Sequence, residues 1–137
     1  MYSKWGDLAN PFEDLSSDMV NAFLDALLAG LNDYTIDERG DVGSWVRIVC
    51  IEGLTEISLL FFSIAPSIPG FESYFPPERY LAIAAGILKQ GVERLDNVRQ
   101  MAGACFMKLL HSSLPQVGGG DRWRLPGLPL VEELFSR

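Results

Sequence analysis

The sequence predicts an all-α fold. Four segments carry apolar residues at intervals of three and four, which is the spacing of one helix face, and no segment shows the alternation of a convincing strand. Two of these segments also resemble each other. With 137 residues and a hydrophobic share of 48%, the chain can form one domain with a core of its own.

The four predicted helices can be delimited by their apolar faces and boundary residues. The first face runs from Val20 to Leu31, and the second helix is apolar on nearly all sides, so we expect it to be mostly buried. Pro76 and Pro77 favour the start of the third helix, and Asp96 is expected to cap the fourth. The predicted ranges are residues 17–31, 42–64, 77–93 and 97–112.

The predicted organisation is a single helical domain over residues 1–137. An extension, 1–16, precedes helical repeats over 17–113. The segment 114–128 is rich in proline and glycine and is expected to be a loop. A short amphipathic helix, 129–137, is expected to end the chain.

The second and fourth helices align at an offset of 52 residues, which pairs Val46 with Val98 and Arg47 with Arg99. A HEAT or armadillo unit has roughly 40 to 47 residues, and the loop from Pro66 to Pro76 accounts for the excess. We therefore interpret the chain as a HEAT/armadillo-type α-solenoid fragment of about two helix pairs plus the short C-terminal helix. The two arginines are expected to pair with acidic groups. A four-helix bundle is the alternative fold.

Charge and composition restrict the partners and the compartment. The net charge of −7 at pH 7 does not suit nucleic acid or anionic lipid, which require a basic face. Cys50 and Cys105 lie in apolar segments and are expected to be free, buried thiols. No signal peptide is recognised, and the apolar run 57–65 is shorter than the roughly 20 residues of a spanning helix. The sequence predicts a cytoplasmic protein without a membrane span.

The stretch DYTIDERGDVGSWVR, residues 33–47, raises three possibilities. The tripeptide Arg39-Gly40-Asp41 is too short to indicate adhesion in a chain without marks of secretion. A calcium loop requires alternating oxygen ligands, whereas the aspartates here are four residues apart. The third possibility is the boundary of a helix.

Boundary chemistry accounts for several residues of this stretch. Thr35 and Glu38 have the spacing of a capping box, and Gly40 can adopt a positive φ that redirects the chain. Asp41 or Ser44 is expected to cap the following helix.

No constellation for catalysis, for a cofactor or for a metal is recognised. His111 is the only histidine and has no ligand partner at a useful spacing. The glycines 118–120 lack the Lys and Ser/Thr of a phosphate-binding loop. Glu52 and Glu56 are one turn apart, but no Glu-x-x-His motif completes a di-metal site. The sequence therefore does not predict an enzyme.

Three stretches resemble one known family. DYTIDERGDVGSWVR is similar to a segment in the C-terminal region of tubulin-folding cofactor D, where Asp-Tyr-Thr leads to Arg-Gly-Asp-Val-Gly, a small residue and Trp-Val-Arg. VRQMAGACFMKLLHSSLP and LVEELFSR resemble the last helices and the tail of that family. The resemblance runs from about Phe23 to the end of the chain.

The resemblance implies part of a large, non-enzymatic HEAT/armadillo-type chaperone of the cytoplasm and cytoskeleton. Such a chaperone binds β-tubulin and assembles or disassembles the αβ-tubulin heterodimer with cofactors C and E and a small Arf-like GTPase. Any GTPase stimulation would belong to the assembled complex. Because the chain is much shorter than a full-length member, we expect it to be a C-terminal domain. A HEAT-type docking domain for another partner is the alternative function.

The acidic turn supplies the candidate partner-binding residues. They are Asp37, Glu38, Arg39, Asp41 and Trp45. Because the same turn serves as a helix boundary, a purely structural role is the alternative.

Overall fold

The computed structural model describes residues 16–38, 40–93 and 95–125, except for the side chain of Asp37. Within these ranges, five α-helices and one two-stranded ribbon follow one another. They are α1 Ser17–Gly30, β1 Ile36–Asp37, β2 Gly40–Asp41, α2 Gly43–Ile64, α3 Phe71–Tyr74, α4 Pro77–Gln90 and α5 Asp96–Leu110, with 3₁₀ helices at Ala65–Ser67 and Gly120–Trp123. The predicted all-α class is confirmed.

Helix α2 is the centre of the fold. It packs along α5 on one side and against α1 on another, while α4 lies against α5. The two helices that align in the sequence, α2 and α5, are therefore neighbours, as equivalent helices of consecutive solenoid repeats are. This arrangement confirms an all-α solenoid fragment of two helix pairs.

The ends of the four long helices lie within three residues of the predicted boundaries, but one predicted cap is wrong. Ser16 caps α1, because its hydroxyl accepts a hydrogen bond from the backbone N–H of Met19 at 3.1 Å. Asp96 does not cap α5; Leu95 holds that position, and Asp96 lies in the first turn, where its charge favours the helix dipole. The predicted helix 129–137 and all but the last residue of the extension 1–16 lie outside the described residues.

The connection between α2 and α4 contains an unpredicted helix, α3, and part of an aromatic cluster. The rings of Phe61 and Phe75 stack at 5.0 Å, and those of Phe62 and Tyr80 meet edge to face at 4.7 Å. These geometries are the favourable ones for aromatic pairs. The aromatic cluster consists of Phe61, Phe62, Phe71, Phe75, Tyr80 and Trp123.

Trp123 fixes the segment that follows α5. Its side chain is fully buried, its ring lies 5.4 Å from that of Phe71, and its indole N–H donates to the Phe75 carbonyl at 2.9 Å. The described part of the predicted loop 114–128 is thus irregular but docked on the helical domain.

The segment Gly43–Ser67 is long and apolar enough to cross a membrane by length and composition alone. Core helices of soluble proteins satisfy the same criterion, so this is weak evidence for a span. Packing against α1, α4 and α5 gives the apolar composition a structural reason. The buried Arg47 near the start of this segment would be costly in a bilayer.

Candidate functional site

The acidic turn, residues 33–45, forms a short antiparallel ribbon before α2. Ile36 pairs with Asp41, and Asp37 pairs with Gly40. Gly40 has a φ of 110°, as predicted, which a residue with a Cβ rarely adopts. The predicted capping box of Thr35 and Glu38 is wrong, because no helix begins there and the ribbon occupies this position.

Asp41 supplies the capping bond of α2 from just outside the helix. The N-cap position itself is held by Val42, whose side chain makes no capping bond. The Asp41 Oδ1 atom accepts from the Ser44 N–H at 3.0 Å, which satisfies one of the donors that a helix start leaves open. The Ser44 hydroxyl donates back to the Asp41 carbonyl at 2.7 Å. Of the two predicted capping residues, Asp41 makes the bond, whereas Ser44 lies in the first turn of α2.

The buried side chain of Arg47 anchors the acidic turn. Its side chain is only 1% exposed, Nη1 donates to the Asp33 carbonyl at 2.7 Å, and Nη2 donates to Asp41 Oδ2 at 3.2 Å. Nη2 also lies 3.7 Å from Glu93 Oε2, beyond the end of α4. A buried guanidinium is stable only when it is paired in this way. Arg47 therefore connects the acidic turn with the α4–α5 connection.

The expected pairing of the two equivalent arginines with acidic groups is confirmed, but in different environments. Arg99 pairs with Asp96 on the surface of α5, and both side chains are exposed. Arg47 is buried, which the alignment of the two helices did not predict. Position in the repeat therefore did not determine burial.

Tyr34 and Gln90 complete the polar network. The guanidinium of Arg47 lies 4.1 Å from the centre of the Tyr34 ring. The buried Gln90 amide donates to the Leu31 carbonyl at 3.1 Å and to the Tyr34 hydroxyl at 3.3 Å. Sequence reasoning did not single out either residue. A glutamine within the apolar stripe of α4 was the available signal.

The structure separates the candidate residues into anchored and exposed ones. The Asp41 side chain contacts Ser44 and Arg47, so it already has a structural role. Glu38 is exposed, and Trp45 is 56% exposed. Arg39 and the side chain of Asp37 lie outside the described residues.

Two further exposed side chains extend the surface of the acidic turn. Tyr34 and Ile36 are both substantially exposed, although both belong to a segment held by hydrogen bonds. The acidic turn thus presents apolar and acidic groups on a fixed backbone.

Titratable groups near the turn show no activated nucleophile. Hydrogen bonds from Thr35 lower the pKa of the Asp33 carboxyl. Burial raises the pKa of Cys50, with a smaller contribution from Asp33, and burial likewise raises that of Cys105. Both cysteines are free and buried, as predicted. Among the described residues, no group of three His, Cys, Asp or Glu side chains is placed to hold a metal ion.

The fold defines a class of structure, an all-α solenoid fragment. Its distinctive polar network fixes a surface turn, and its packing is that of a solenoid fragment.

A known family matches the C-terminal part of the chain, over 57 of its 137 residues. Residues 81–137 match the family model described as tubulin folding cofactor D C terminal. The match confirms the resemblance for the stretches VRQMAGACFMKLLHSSLP and LVEELFSR, which lie within these residues. It covers most of α4, all of α5 and the tail, while the acidic turn lies before it. No solved structure matches the chain.

Proposed function

We propose that this chain is the C-terminal part of a tubulin-folding cofactor that binds β-tubulin. It helps to assemble or disassemble the αβ-tubulin heterodimer with cofactors C and E and a small Arf-like GTPase. The match of residues 81–137 to the tubulin folding cofactor D family carries this proposal. In this role the protein is a non-enzymatic scaffold in the cytoplasm, associated with the cytoskeleton.

The acidic turn is the proposed contact surface. The acidic turn carries the large, half-exposed indole of Trp45 and the exposed side chain of Glu38. Tryptophan is enriched among the residues that dominate binding energy at protein interfaces. Asp37, Arg39 and Asp41 complete the proposed set, and Arg47 holds the backbone of the turn in one conformation, which lowers the entropy lost on binding.

Co-elution on a sizing column tests the proposed function. The purified chain is mixed with αβ-tubulin and, separately, with the Arf-like GTPase in its two nucleotide states. We expect a complex with tubulin and no nucleotide hydrolysis by the chain alone. A chain that retains its helical spectrum but elutes apart from tubulin would contradict the proposal, and binding to the GTPase alone would favour a docking domain for another partner.

A pair of double variants tests the surface. Glu38→Ala with Trp45→Ala should weaken the tubulin complex by at least about tenfold, because a half-exposed tryptophan is lost from the contact. Glu78→Ala with Leu81→Ala is the matched control, since it removes one exposed acid and one exposed apolar side chain from α4. Equal binding by both double variants would place the contact elsewhere.

A further inference from the structure

One side of α2 carries an exposed stripe that begins at Trp45, the last residue of the acidic turn, and continues along the helix. It follows the spacing i, i+4, i+7, i+11 and i+15 of one helix face. Val49 is 66% exposed and Leu60 is 53% exposed, although both are aliphatic. The stripe consists of Trp45, Val49, Glu52, Glu56 and Leu60.

An apolar groove between α1 and α2 adjoins the Leu60 end of this stripe. Its volume is about 380 Å³, and all the side chains that line it are apolar. An engineered void of about 150 Å³ already binds a benzene ring, so the groove has room for more than one large side chain. Its walls are Met19 and Phe23 from α1 with Ile57 and Leu60 from α2, and its floor includes Leu24 and Phe61.

The carboxylates of the stripe are weakly compensated. The Lys108 amine lies 3.5 Å from Glu56 Oε1, but both side chains are more than half exposed, so the pair contributes little. No ion pair to Glu52 is seen among the described residues. Two acidic groups therefore lie between apolar residues on a surface of a chain with a net charge of −7.

We propose that this stripe and groove bind an amphipathic basic helix of a partner protein. Its leucine-like side chains enter the groove, and its Lys or Arg side chains face Glu52 and Glu56. From Trp45 to Leu60 the stripe is about 22 Å long, which matches four turns of a docked helix. The two proposed surfaces share Trp45, but this proposal does not require tubulin binding, because the groove and the rest of the stripe lie beyond the acidic turn.

Charge favours this occupant over a second copy of the chain. In a symmetric dimer across the same face, the Glu52 and Glu56 carboxylates of both copies would share one interface. Such like charges are unfavourable when they are brought together out of water. An amphipathic segment with basic residues removes this repulsion and covers the same apolar area.

Two synthetic peptides provide the test. One is an 18-residue amphipathic helix of leucine and lysine, and the other has each lysine replaced by glutamate. Fluorescence anisotropy of the labelled peptides is followed against the full 137-residue chain at low and at physiological salt. We expect the lysine peptide to bind at least tenfold more tightly than the glutamate peptide, with a smaller difference at higher salt.

Substitutions in the chain test where the lysine peptide binds. Val49→Gln with Leu60→Gln should weaken the lysine peptide about tenfold, since both side chains are exposed and contribute to the apolar contact. Glu52→Gln with Glu56→Gln should weaken it about fivefold at low salt. Glu72→Gln with Glu78→Gln is the matched control, because it removes one ion-paired glutamate and one that has no ion pair within the described part of the chain.

Three outcomes would overturn the proposal. The first is equal binding of the two peptides, and the second is an equal loss in the charge variant and its control. The third is a dimer of the chain on a sizing column that the Val49→Gln and Leu60→Gln changes abolish. That result would assign the face to a second copy.

Discussion

The guanidinium of Arg47 lies 4.1 Å from the ring centre of Tyr34, whose hydroxyl accepts a hydrogen bond from Gln90. Residues from the acidic turn, from α2 and from α4 thus meet in one partly buried network. Because Arg47 also binds the Asp33 carbonyl and the Asp41 carboxylate, the turn is fixed at both ends. This network is the basis of the first prediction.

Removing the buried arginine should destabilise the whole domain. Arg47→Ala leaves the Asp33 carbonyl and the Asp41 carboxylate without their main partner, and we expect the free energy of unfolding to fall by about 3 kcal/mol. Urea denaturation followed by circular dichroism measures the change. Arg99→Ala, the equivalent position on the surface, should change it by no more than about 0.5 kcal/mol. Similar losses in both variants would contradict the role assigned to the network.

Gly43 lies so close to the backbone of the acidic turn that there is no room for a side chain. A Cβ atom there would overlap the Asp33 carbonyl oxygen and lie 2.7 Å from the Thr35 nitrogen, so Gly43→Ala should cost about 2 kcal/mol. Gly53→Ala is the control within the same helix, because its Cβ would meet only Leu27 at 3.9 Å. That change should raise the free energy of unfolding by up to about 1 kcal/mol. A larger loss of stability in Gly53→Ala than in Gly43→Ala would show that the turn does not pack against α2 as described.

Trp123 should anchor the segment after α5. Trp123→Ala removes a fully buried indole and its hydrogen bond to Phe75, and we expect a loss of about 3 to 5 kcal/mol. Trypsin cleavage at the neighbouring exposed Arg122 and Arg124 should become faster as the segment detaches. Trp45→Ala, at a 56% exposed position, should leave both measurements nearly unchanged. An unchanged cleavage rate in the Trp123 variant would show that the docked segment is held by other contacts.

Alkaline pH should weaken the fold through Tyr80. Burial raises the pKa of Tyr80 from 10.0 to about 12, with a hydrogen bond from Ser112 acting in the opposite direction. Because the pKa is higher in the folded state, the stabilisation is complete below pH 10 and is lost as the pH rises towards 12. The loss should be roughly 2 kcal/mol.

Chemical denaturation at several pH values between 9 and 12 measures this effect. Tyr80→Phe should be less sensitive above pH 10, since it has no group to ionise. Cys50 and Cys105, whose pKa values are also raised, contribute a fall that begins near pH 9 in both proteins. A Tyr80→Phe curve parallel to the original one would assign the whole alkaline loss to other groups.

Periodicity predicted the four long helices because each buries one continuous apolar face, as Val20 and Leu24 show in α1. It could not predict α3, since the four residues from Phe71 to Tyr74 are too few for a helical period and lie between prolines and glycine. The docking of Trp123 depends on rings that are about 50 residues earlier in the chain. Local sequence carries no signal for such a contact.

The candidate site was predicted in part for the same physical reasons. Capping by Asp41 is a local interaction, and its residue type and position were sufficient to indicate it. The burial of Arg47 depends on Tyr34, Glu93 and Gln90, which tertiary structure brings together. Arg99 has the same position in the alignment but lies on the surface, which shows that alignment could not distinguish the two environments.

The aromatic cluster determines which part of the chain can exist alone. Its rings come from α2, from α3 and its C-terminal end, from α4 and from the segment after α5, so each of these parts completes the packing of the others. A fragment that begins at residue 81, where the family match begins, would keep Trp123 but lose the five other rings of the cluster. The matched region is therefore a unit of sequence but not of folding, and the helices on both sides of its boundary should unfold in a single cooperative transition.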